Sequence, residues 1–295
     1  MNEVFFRYRS LQGSLSDGVS FLTDRFWRFL YVSLPVGLPM GLVMALLALL
    51  GCWGCFHLST ALCWAFGCVL SVLLLLCCAC YTGLIGRLML RAAEGGVLDG
   101  IGFRHVYDGR WLRLSLRSLL VYVLEGVVVS VLALLWWLTG YILPSDEHVF
   151  FCWLCGGVLC VAGCIVLVPA SWSLQSCLLG KGGLWHDMWH GYASGWLHWA
   201  RVFSLSLLTG LLSLVICVLL LSSALVASMA QMGATQSELA GDTVDLSGWF
   251  PVLTGLVLFV SMFVSTLTFW LRLVPQGLLF AGSCIPTIKE SDGQG

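Results

Sequence analysis

Three kinds of residue in this chain could do chemistry. Glu125 stands inside an uninterrupted apolar run, Val-Tyr-Val-Leu-Glu-Gly-Val-Val-Val. A carboxylate in hydrocarbon is costly unless paired or hydrated, so such a residue is a candidate site for a proton or cation. Arg272, near the end of the last apolar stretch, is its candidate partner. Two cysteine pairs, Cys52-Trp-Gly-Cys55 and Cys152-Trp-Leu-Cys155, have the spacing of dithiol redox centres. His186 and His190 are four apart, which sets two ring nitrogens on one helix face. Their motif is His-Asp-Met-Trp-His, without the Glu that zinc proteases need after the first His, and no third ligand is evident. It offers only a weak metal site, and the sequence implies no resident metal.

These residues must be positioned by helices in a membrane. Of the 295 residues, 59% are hydrophobic and 10% charged, against roughly 25% charged in ordinary soluble domains. That composition excludes a soluble enzyme, a secreted disulfide scaffold and a disordered chain. A net charge of −1 excludes nucleic acid as a partner, because phosphate binding needs concentrated basic charge. Six stretches meet the roughly 20 apolar residues a crossing requires: 30–50, 61–86, 118–142, 149–171, 202–229 and 250–271. None alternates with period two, so the expectation is an all-α polytopic protein with six transmembrane helices. The first 28 residues lack a short apolar core with a small-residue cleavage site, so no cleaved signal peptide is expected.

Basic residues give the orientation. The loops around 51–60, 143–148 and 230–249 contain none of the 14 Lys and Arg, and carry Asp146, Glu147, Glu238, Asp242 and Asp245 instead. The positive-inside rule then places both termini in the cytoplasm.

The chain also repeats. Trp27, Trp111 and Trp196 recur at intervals of 84 and 85 residues, each after a mixed aromatic and charged segment and before a pair of apolar stretches. Tandem two-helix units at about 14–96, 98–183 and 184–287 are expected within one membrane domain, with 288–295 a disordered tail. A cytoplasmic, interfacial amphipathic helix precedes each pair, and the three Trp anchor it at the headgroups. The membrane lipid is the first partner this implies, and other membrane proteins the second. Pro35, Pro39, Pro169 and Pro275 should break or kink their spans. Polar residues inside the spans are chiefly Glu125 with scattered Ser and Thr.

Two resemblances bear on function. The outward-facing Cys-x-x-Cys pairs resemble those of the quinone-linked disulfide oxidoreductases of the bacterial inner membrane. That likeness implies thiol–disulfide exchange at Cys52, Cys55, Cys152 and Cys155, with quinone as cofactor. Over most of the chain, the cytoplasmic amphipathic helices and glycine-rich six-span pattern resemble poorly characterised bacterial proteins related to the membrane domain of glycerophosphodiester phosphodiesterases. This second likeness implies an inner-membrane protein without catalytic residues or cofactors of its own. The resulting expectation is a non-enzymatic membrane-organising, partner-binding or transport component, with the periplasm-facing oxidoreductase as the alternative.

Overall fold

The computed structural model describes residues 10–51, 59–93, 106–142, 149–180, 182–239 and 249–283. Among the described residues it is 95% helical without strands, and six helical stretches are long and apolar enough to cross a membrane. The chain is a multi-pass, all-α membrane protein.

Two short helices, α1 (Leu11–Thr23) and α6 (Leu184–Leu197), accompany the spans. The spans are α2 (Phe26–Leu49), α3 (Thr60–Ala93), α4 (Gly109–Ile142), α5 (Val149–Leu179) and α7 (Trp199–Leu239), with α8 (Phe250–Thr266) and α9 (Thr268–Ser283) together forming the sixth. Local chemistry starts these helices. Ser10 caps α1, its hydroxyl accepting from the Gly13 N–H at 3.1 Å. Asp108 caps α4, one carboxylate oxygen accepting from the N–H groups of Arg110 and Trp111 at 3.1 and 2.9 Å. Each side chain satisfies donors that the first helical turn leaves orphaned.

Several spans run past their apolar stretches. Helix α3 reaches Ala93, α5 reaches Leu179 and α9 reaches Ser283, where hydropathy ends the stretches at 86, 171 and 271. The extensions lie at the end of the bundle that carries Arg87, Arg91, Arg110, Arg113 and Arg117, here termed the basic end. The helices continue through Pro35, Pro39, Pro169 and Pro275; the expected breaks do not occur there. The sixth span is interrupted instead at Leu267. There Leu267 N–H bonds to Val264 and Trp270 N–H to Leu267, both three residues back, the tighter pattern of a 3₁₀ turn.

The spans close a ring in the order α2, α3, α4, α5, α7, then α8 with α9, and α8 returns to α2. Inside it α3, α5 and α9 touch one another. Residues 81–89, 172–178 and 273–282 are buried on every face, so these three segments form the centre of the basic end. Glycine brings them together. A Cβ on Gly86 would lie 2.7 Å from Leu178 Cδ2, and one on Gly277 would lie 3.1 Å from Gln175 Oε1. Toward the opposite end α3 loses this packing, none of its residues 60–78 being buried, while α2, α7 and α8 share a small core of Ala45, Ala224 and Leu258.

The short helices dock on prolines of the central spans. A Cβ on Gly195 of α6 would lie 3.0 Å from Pro169 Cα, and one on Gly18 of α1 would lie 2.8 Å from Pro275 Cγ. With so little room between the backbones, small residues at both places allow the contact.

Candidate functional site

Glu125 lies about halfway along the 34 residues of α4, which span about 51 Å at the helical rise of about 1.5 Å per residue. Its neighbour Tyr122 is fixed toward α3, the Tyr122 and Thr82 hydroxyls lying 2.7 Å apart. Arg272 is not at the end of its span. Helix α9 continues to Ser283, and the following residues, 273–282, are all buried. Arg272 itself remains exposed above this packed block. Two residues before it, Trp270 donates its indole N–H to the Tyr81 hydroxyl at 2.7 Å and packs on Phe29 at a ring distance of 4.7 Å. These contacts hold the start of α9 against α3 and α2.

Among the described residues, neither Glu125 nor Arg272 makes a direct hydrogen bond or ion pair, so carboxylate and guanidinium stay more than 4 Å apart. The expected partners are therefore not in contact.

Glu125 also borders a cleft of about 210 Å³ between α4, α5 and α6. Its walls are mostly apolar, with Val121, Leu124 and Val128 on one side and Val166, Leu167 and Ala170 on the other. Ser173, Tyr192 and Glu125 supply the polar atoms. Leu124 and Trp189 line it while remaining exposed, so it opens on the surface. Helix α6 is pinned over it by Ser173, whose hydroxyl donates to the Met188 carbonyl at 2.9 Å. Such a space holds an apolar body and offers one carboxylate to a polar end.

No family model, curated protein or solved structure matches the chain. Its chemistry must be read from its own residues.

Cys52 and Cys55 lie outside the described residues, as does the Cys152 side chain, and Cys155 is half-buried on α5. The His186 and His190 rings stack with centroids 5.9 Å apart. Asp187 between them turns inward and is buried, with Arg117 Nη1 at 3.5 Å. Among the described residues, no three His, Cys, Asp or Glu side chains converge as a metal would require. Trp27 is 78% exposed and Trp196 is exposed too. Trp111 instead turns into the protein, donating its indole N–H to the Cys80 carbonyl at 3.1 Å.

Sequence reasoning missed several groups. Buried Arg87 donates to Asp108 at 2.7 Å. Burial pushes the Asp108 carboxyl up. The Arg87 hydrogen bond and charge, with the Trp111 and Arg110 N–H groups, outweigh it and hold the carboxyl below its ordinary value. Arg117 closes the α5–α6 turn by donating to the carbonyls of Cys177 and Gly182 at 3.3 and 3.1 Å. Gln175 donates to the Leu273 carbonyl at 3.3 Å, and Gln276 to the Ser206 hydroxyl at 3.0 Å. Both glutamines fall just beyond the hydropathy limits at 171 and 271, so Ser and Thr are not the only neutral polar groups of the spans. The signal available for them was the continuation of helical sequence past those limits.

Proposed function

We propose that this chain is a non-enzymatic component of the bacterial inner membrane that takes up a lipid-like molecule, as a transport or membrane-organising protein. The cleft between α4, α5 and α6 carries the reading. It is apolar enough for acyl chain, open on its surface and bordered by a single carboxylate at mid-helix depth. Intramembrane charges that face cavities mark substrate paths. The basic end faces the cytoplasm in this reading, and the three two-span units form one body around α3, α5 and α9.

Photocrosslinking tests it. A phospholipid with a diazirine in its acyl chain, reconstituted with the full chain, should label peptides of α4, α5 and α6 above the equally apolar, exposed residues 60–78 of α3. Ala170→Trp, which fills the cleft, should remove the excess. Uniform labelling of all exposed spans would overturn the reading.

A further inference from the structure

We propose that the cleft between α4, α5 and α6 selects a single-chain amphiphile whose polar end is a protonated amine, held by the Glu125 carboxylate. The inference rests on the lipid-uptake reading and adds the class of molecule taken up.

Hydrogen-bond donors and acceptors in the cleft are unevenly supplied. Among the described residues that line it, Glu125 is the only charged one, and Ser173 and Tyr192 bring the hydroxyls. Each hydroxyl has its proton committed elsewhere. Ser173 donates to the Met188 carbonyl at 2.9 Å, and Tyr192 to the Val166 carbonyl at 3.4 Å. Both turn only lone pairs to a ligand, and an ionised carboxylate is acceptor-only as well. The lining residues all lie beyond the first turn of their helices, so their backbone N–H groups are spent within those helices. The Trp189 indole is the remaining side-chain donor, on a ring that is 73% exposed.

Such a site favours a ligand rich in donors. A phosphate or carboxylate head would find that one indole and meet repulsion from Glu125. An alcohol brings a single proton to the carboxylate, whereas a primary ammonium brings three and a full charge, and charge-assisted hydrogen bonds are about twice as strong as neutral ones. The Trp189 and Tyr192 rings stack with centroids 6.4 Å apart, and their π faces attract a cation further. Volume limits the apolar part. At about 210 Å³ the cleft is smaller than the roughly 300–1,000 Å³ of sites that enclose drug-sized molecules. That favours one alkyl chain along Val121, Leu124 and Leu167 over two.

The test is native mass spectrometry of the full chain in neutral detergent at neutral pH, with equimolar dodecylamine, dodecanol and dodecanoate. The wild type should retain the amine about tenfold more than the alcohol, the scale of one charge-assisted hydrogen bond, and dodecanoate least. Glu125→Gln should bring amine and alcohol level, and Glu125→Asp, which keeps the charge, should keep a preference. Ala170→Trp should remove retention of both. Equal retention of amine and alcohol by the wild type, or dodecanoate above the amine, overturns this inference and leaves lipid uptake standing. So does an amine preference that survives Glu125→Gln or Ala170→Trp. Retention of none of the three overturns both readings. If Glu125→Gln fails to fold, the wild-type ratio and its loss in Ala170→Trp decide together.

Discussion

At the scale of single residues, what sequence made legible was charge out of place. Glu125 and Arg272 stand out because apolar neighbours surround them. Asp108 and Asp187 do not, since a carboxylate in a polar linker looks alike whether it faces water or a buried arginine. Yet Asp108 does two jobs, capping α4 and pairing with Arg87, whose side chain is 5% exposed. Asp108→Asn retains a good cap but removes the charge. It should cost about 2 kcal/mol, part of the penalty for stranding a buried ion, read as a lower melting temperature in detergent. The effect has a definite pH sign. A carboxyl lowered on folding contributes stability above its unfolded pKa of about 3.9, and that contribution is lost as pH falls through the lower folded value. The gap between wild type and Asp108→Asn should therefore be full at neutral pH and close in acid below about pH 4, which melting curves across that range would reveal.

At the scale of elements, hydropathy located all six spans but cut several short at the basic end. The missed extensions contain Arg87, Gln175 and Gln276, polar residues that the helices bury against each other; a transfer scale counts them as if they faced lipid. The prolines leave their helices unbroken for a related reason. A lone helix would be expected to break there, but Pro169 and Pro275 are covered by Gly195 and Gly18 of the docking helices, and packing sustains the backbone. Glycines divide the same way. A Cβ on Gly83 would meet Ser115 N and Cα at 2.6 and 2.8 Å, whereas one on Gly126 would meet nothing within 4 Å. Gly83→Ala should push α3 from α4 and cost about 1–3 kcal/mol. Gly126→Ala should be neutral or stabilise by up to about 1 kcal/mol. Thermal unfolding of both variants under one condition checks the contrast.

At the scale of the whole molecule, the spacing of Trp27, Trp111 and Trp196 suggested an order of units but not their neighbours, because a repeat says nothing about which surfaces meet. The meeting of α3, α5 and α9 depends on glycines and polar contacts between segments far apart in sequence, such as Gln175 with Leu273. Charge asymmetry does make a global prediction. Green fluorescent protein fused beyond residue 283 should fluoresce in the cytoplasm, while alkaline phosphatase inserted at Asp146 should be active outside; the opposite pattern would invert the orientation. The interruption at Leu267 adds a mechanical consequence. Below it α9 is enclosed in the centre of the basic end, and above it α8 packs on α2 and α7. A bilayer that thins or thickens on one face pulls on α8, and the joint takes up the tilt in two backbone turns rather than passing it down a rigid rod. Arg272 sits just below that joint, in the half of the span that the packed centre anchors.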